Sequence, residues 1–266
     1  MSIVLFGLLA IVLYVAVAIR SSTGSVAAPG GDTLSAPTTL IAAAALVAHA
    51  LALYPMAFTA QGFNFGIFTA ASLVAWLITV ITVIASTRRP LASLAVVILP
   101  FAAVVVGLSL AFSHPHIIHE HAPGIALHIA LSLVAYALFA IAAVQALYYA
   151  FAERRLKAHH PVMSFLPPLT VMEQTMFQLT GIAFVLLSVG LATGIAYIED
   201  VRGQHLAHKI VFSGLAWLTF AVLLAGRRWR RWRGRHAVKY VIGGTCLLAV
   251  GFFGSKIALE LILNRA

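Results

Sequence analysis

Residues 124–146 read GIALHIALSLVAYALFAIAAVQA, without a single Asp, Glu, Lys or Arg. Crossing the hydrocarbon of a bilayer takes about 20 apolar residues, so this stretch is a membrane-spanning helix. Arg154, Arg155 and Lys157 follow it, which marks its far end as a membrane–water boundary. Within the stretch His128, Ser132 and Tyr136 recur at i, i+4 and i+8 and therefore share one helix face. A polar stripe on such a helix is expected to turn toward protein rather than lipid.

The rest of the chain follows the same pattern. Of its 266 residues 62% are hydrophobic and 9% charged, with a mean hydropathy of +1.02. About a quarter of the residues in a soluble domain are charged. Apolar runs fall at roughly 2–19, 39–56, 66–86, 91–112, 123–151, 174–197, 208–226 and 237–262. The expectation is an all-α polytopic bundle of about eight transmembrane helices in one domain, residues 1–266. The first run lacks the basic start of a signal peptide, although SSTGSVAAPGGD after it has small residues of the cleavage-site kind; a retained helix is expected. The single cysteine, Cys246, excludes a disulfide framework and a thiolate metal site.

The formal charge of +10 is distributed as an orientation signal, so no nucleic-acid partner is expected. Arg20, Arg88-Arg89, Arg154 to Lys157 and the run from Arg227 to Arg235 all follow odd-numbered spans. By the positive-inside rule both termini are outside and the arginine-rich loops are cytoplasmic. Trp229 and Trp232 in GRRWRRWRGRHAVKY suit a membrane interface, with anionic lipid head groups as partners.

Histidine is the residue with chemical reach. His49 lies in the middle of the second span, either hydrogen-bonded to a neighbouring helix or functional. The outward loop SHPHIIHEH, residues 113–121, carries His114, His116, His119 and His121. It lacks the HExxH order of zinc proteases and reads as a weak metal site or a solvated loop. His128 and His208 each begin a span at the outer edge, so topology sets them at one depth. Two neutral imidazoles so placed could ligate a haem iron; they could also bind Zn²⁺ or Cu²⁺ with help from the loop.

Three longer stretches carry a resemblance: residues 128–157 (HIALSLVAYALFAIAAVQALYYAFAERRLK), 166–197 (LPPLTVMEQTMFQLTGIAFVLLSVGLATGIAY) and 208–263, which opens HKIVFSGLAWLTF. Together they resemble the cytochrome c assembly family, and within it the short YpjD/HemX-like branch of the CcsA/CcmC haem-handling proteins. The likeness covers about 123–262 well, and the earlier spans more loosely through HALALY, GFNFG and SLVAWL. It implies a bacterial inner-membrane protein that binds b-type haem non-covalently near the outer face. His128, His208 and His49 match the family's helix-edge histidines, with Ser132, Tyr136, Lys209, Ser213 and Trp217 beside them; Lys209 or Arg202 could meet the haem propionates. The chain departs from the large members in having YIEDVRGQHLAHK where they carry a tryptophan-rich segment, and Ala225 where they tend to have a histidine. The resemblance therefore implies haem binding rather than synthase-like ligation.

The leading expectation is a haem-binding protein of cytochrome c assembly or haem supply, with other maturation proteins as partners. A HemX-like regulator of a haem-synthesis enzyme, working through the cytoplasmic arginines, is the second reading. A divalent-metal transporter is the third, weakened by the scarcity of acidic residues within the spans. No phosphate loop, paired carboxylates or activated nucleophile can be recognised, so an enzyme is not expected.

Overall fold

In a hydrocarbon environment every backbone N–H and C=O must be bonded within the protein, and apolar runs of this length meet that demand as helices. The computed structural model describes residues 2–23, 33–60, 62–87, 91–112, 116–118, 123–162, 166–197, 207–254 and 256–257. Among them eight helices are long and apolar enough to cross a membrane, as the hydropathy pattern predicts. They are α1 (Ser2–Thr23), α2 (Ala36–Ala57), α3 (Ile67–Ser86), α4 (Ala92–Ala111), α5 (Pro123–Lys157), α6 (Leu169–Tyr197), α7 (Ala207–Arg230) and α8 (Arg235–Ala249). A π turn, Val250–Gly254, continues α8. The 35 residues of α5 exceed one bilayer crossing, so its basic end projects into the head groups. Large apolar side chains such as Leu5, Leu40 and Ile195 are exposed, the surface expected against lipid.

Several threonine hydroxyls inside these helices are satisfied without leaving their own helix. Thr79, Thr82, Thr180 and Thr245 each donate to the carbonyl four residues back, on Ala75, Ile78, Met176 and Val241. Ser and Thr can therefore stand on helix faces that close approach demands be small.

The contacts divide the chain into two compact units. In the first, α1 packs on α2 and α4, and α3 on α2 and α4, closing a ring of four. Three short antiparallel strands, β1 (Phe58–Thr59), β2 (Gly62–Asn64) and β3 (Ile117–Ile118), belong to this unit. Asn64 ties them down. Its Oδ1 accepts from the backbone N–H of Gly66 and of His116, both at 3.0 Å, while its Nδ2 donates to the Met56 carbonyl at 3.0 Å. Gly62 has φ +138°, a turn conformation that glycine allows.

The buried centre of the first unit is a hydrogen-bonded chain across three helices. His49, 1% exposed, bonds the Tyr14 hydroxyl through Nδ1 at 2.9 Å and the Ser72 hydroxyl through Nε2 at 2.9 Å. The Tyr14 hydroxyl also reaches Thr79. Because both flanking hydroxyls can donate or accept, either neutral tautomer of the ring is fully satisfied.

In the second unit α5 packs on α6 and α8, and α7 on α6 and α8, again closing a ring. The diagonal pair α5 and α7 meets through Phe139 and Phe220, stacked with centroids 3.9 Å apart and both fully buried. Thr245 of α8 lies with its hydroxyl 3.4 Å from the Phe139 carbonyl. Gly244 leaves room for the Phe220 ring, which a Cβ there would meet at 2.5 Å.

Replacing Phe139 with Ala opens a void at the centre of the second unit and should cost about 3–5 kcal/mol, read as a lowered midpoint of unfolding in detergent micelles. In the first unit Tyr14→Phe and Ser72→Ala should each cost about 1 kcal/mol. In a His49→Leu background each should cost markedly less, since the shared partner is gone. Strictly additive losses in that cycle would show that the network is not one unit.

Candidate functional site

The end of the second unit that carries His128 is built by a seam of small residues. Gly190-Leu191-Ala192-Thr193-Gly194 of α6 places two glycines one turn apart, a spacing that lets helix backbones approach closely. His128 and Ser132 of α5 lie against them in antiparallel register. A Cβ on Gly194 would meet His128 Cε1 at 2.8 Å, and one on Gly190 would meet Ser132 Oγ at 3.4 Å. The close approach brings His128 Nδ1 to 2.7 Å from the Gly190 carbonyl oxygen. A carbonyl only accepts, so Nδ1 carries the proton and donates. The neutral ring then keeps its lone pair on Nε2, the tautomer that a metal-ligating histidine with a backbone second partner adopts.

His208 opens α7, half-buried. Its Nε2 is buried and has no hydrogen-bond partner among the described residues. A buried polar nitrogen without a partner costs about 1–3 kcal/mol, so a ligand at this atom would offset that cost.

The register between α5 and α7 follows from two contacts. Phe139 stacks on Phe220, and the Tyr136 hydroxyl bonds Ser213, so the helices run in the same direction. His128 stands eleven residues before Phe139, and His208 twelve before Phe220. At a rise of about 1.5 Å per residue both histidines lie roughly 16–18 Å along their helices from the stack, at the same end of the unit.

The stripe on α5 fans out as it descends. His128 and Ser132 face α6, whereas Tyr136 turns to Ser213 and stacks edge-on with Phe252, centroids 5.6 Å apart. Lys209 is half-buried beside His208. Trp217 lies lower, in the seam between α6 and α7, donating from Nε1 to Ser188 Oγ at 2.9 Å and stacked on Phe184. Nine residues below His208, about 14 Å down the helix, it holds helices together. His49 belongs to the first unit, and both its ring nitrogens are already hydrogen-bonded.

Of the loop histidines, His116 is exposed, and its backbone carbonyl accepts from Phe65 at 2.8 Å while its N–H goes to Asn64. His114, His119 and His121 lie outside the described residues, as does Arg202. Among the described residues no three His, Cys, Asp or Glu side chains gather as a metal-ion site. Lys256, buried at 7% exposure, is a polar residue of this unit that hydropathy reading passes over, because it stands alone in an apolar run.

The chain matches the family described as Cytochrome C assembly protein over residues 38–263. It is 37% identical over 227 residues to the Inner membrane protein YpjD of Escherichia coli K12, covering 82% of this chain and 84% of that one. It is 34% identical over 154 residues to an uncharacterized 28.8 kDa protein of Azospirillum brasilense, covering 56% of this chain and 57% of that one. The cytochrome c biogenesis protein CcsA of Synechococcus is more distant, 26% identical over 91 residues, covering 32% of this chain and 26% of that protein. No solved structure matches the chain. With a family match over most of its length and eight apolar helices to place it in the bilayer, this chain belongs to the cytochrome c assembly family and is a multi-pass inner-membrane protein.

Proposed function

We propose that the protein binds b-type haem non-covalently at the outer end of its second helical unit, and serves cytochrome c assembly or haem supply. His128 and His208 would hold the iron through their Nε2 atoms, and Lys209 beside His208 would meet a propionate. Bound there, haem would supply a redox-active iron. The protein's own share is placement: Gly190 fixes the tautomer of His128, the glycine seam fixes its position, and the apolar helices around it keep water out.

The observation that carries this reading is the hydrogen-bond state of the two imidazoles. Among the described residues, His128 is locked by Nδ1 with its Nε2 lone pair spare, and His208 buries an Nε2 that nothing satisfies. Those are the valences that axial ligation uses. No bond-making step is assigned to the protein: its proposed work is to hold and hand over haem. Support for a place in cytochrome c assembly comes from the family itself and from the CcsA relative, a cytochrome c biogenesis protein. The positive-inside rule applied to the arginine-rich segments supports an outward orientation for this end of the unit and for both termini.

Protein purified in mild detergent and loaded with ferric haem should give the spectrum of a low-spin, bis-histidine iron. His128→Ala and His208→Ala together should remove it; an unchanged Soret band in the double variant would falsify the ligand assignment. Orientation is checked separately. A periplasm-dependent reporter fused after Ala266 should be active, and the same reporter placed between Arg230 and Arg235 silent.

A further inference from the structure

The oxygen to which His128 donates is shared. The Gly190 carbonyl accepts from His128 Nδ1 at 2.7 Å across the α5–α6 seam, and from Thr193 Oγ1 at 2.9 Å within α6. Gly194, four residues on in the same helix, is the regular helical donor to that oxygen. A carbonyl oxygen has two lone pairs, so three donors compete for it. The reach of Thr193 creates the competition. Thr79, Thr82, Thr180, Thr219 and Thr245 donate to the carbonyl four residues back. For Thr193 that carbonyl would belong to Val189. Its half-buried side chain turns instead to the carbonyl three residues back, the one that holds the histidine.

Hydrogen bonds that share an atom polarise one another. A donor draws electron density from the oxygen it binds, so each added donor on the Gly190 carbonyl weakens its pull on the others. That pull matters for a histidine whose far nitrogen serves a metal. The more strongly its Nδ1–H is drawn, the more basic Nε2 becomes as a ligand. A path of two hydrogen bonds thus runs from Thr193 Oγ1 through the Gly190 oxygen to the imidazole of the proposed haem site.

We propose that Thr193 is a positioning residue which, through the shared Gly190 carbonyl, holds down the basicity of His128 and so raises the reduction potential of the iron it ligates. This inference rests on the assignment of His128 as an iron ligand. A less basic imidazole favours ferrous over ferric iron and also releases the metal more readily, which suits a site from which haem passes on.

The test compares wild type with Thr193→Val, which keeps the shape and removes the hydroxyl, and Thr193→Ser, which keeps the hydroxyl. Thermal unfolding of each apo protein reports on folding. In apo protein labelled with ¹⁵N-histidine, the Nδ1 proton resonance of His128 should move to lower field in Thr193→Val as its bond to Gly190 tightens, and should stay near the wild-type position in Thr193→Ser. In the haem-loaded proteins Thr193→Val should lower the midpoint potential. The ferric-to-ferrous ratio at the wild-type midpoint should then rise about two- to fivefold, up to the factor that one hydrogen bond of ordinary net strength supplies. Thr193→Ser should restore the wild-type ratio. An unmoved resonance in Thr193→Val, or a Thr193→Ser protein that behaves like Thr193→Val, overturns the proposal and leaves the ligand assignment standing. A resonance that moves while the potential does not overturns both.

Discussion

A histidine ring inside a bilayer has to give its N–H to some acceptor, and for His128 that acceptor is a backbone carbonyl of the neighbouring helix. The bond is possible only because Gly190 and Gly194 carry no side chains, so that α5 can bring an imidazole against the α6 backbone. Lipid tails supply no hydrophobic drive for helices to associate, and close packing with interhelical hydrogen bonds has to replace it. The glycine seam therefore does two things at once. It lets α5 and α6 pack closely, and it fixes which nitrogen of His128 holds the proton. A larger residue at position 194 would separate the helices and release the ring together, so packing and site geometry cannot be altered independently there.

The opposite end of the same unit is organised by charge. Glu153 of α5 takes Lys157 at 2.7 Å and Arg235 at 3.2 Å, and Glu173 of α6 accepts from the Gly234 N–H at 2.9 Å. Arg227 lies 3.6 Å over the Phe177 ring, a cation–π contact. Gly234, with φ +61°, supplies the left-handed turn that carries α7 into α8. Exposed ion pairs are individually weak, so their effect here is to fix the direction of the turn more than to stabilise the fold. The arginine run thus divides. Arg227 and Arg235 are engaged with α6 and α5, whereas Arg228, Arg230, Arg231 and Arg233 are exposed. Only the exposed group remains for lipid head groups or for the partner enzyme that a regulatory reading requires.

Hydropathy made the spans legible because the bilayer imposes a length and a composition on each of them. Histidines at span edges were legible for the same reason: polar residues are rare there. What sequence could not reveal is register. Nothing in GFFGSKI announces a π turn. The three-stranded sheet was missed because its strands are two or three residues long and are held by one asparagine reaching residues far apart in sequence. The glycines of GLATG were visible as small residues, but that one of their carbonyls receives a histidine needs the α5–α6 alignment. Trp217 shows the same limit: its spacing marks a helix face, and only the fold reveals that its N–H goes to Ser188.

Three buried or half-buried histidines in one chain also show how far residue type alone falls short. His49 has hydroxyls on both ring nitrogens, and its valences are used up in holding α1, α2 and α3 together. His128 has one nitrogen committed to a carbonyl and the other without a hydrogen bond among the described residues. His208 buries a nitrogen with no partner among the described residues. An iron ligand must offer a lone pair that no hydrogen bond already occupies, so recruiting His49 would first require breaking a bond to Tyr14 or Ser72 and leaving a buried hydroxyl to find another partner. His128 and His208 require no such exchange. Ligation there would add an interaction to atoms that no described residue fills, and this asymmetry in cost is the physical ground on which the proposed haem site names those two positions and not His49.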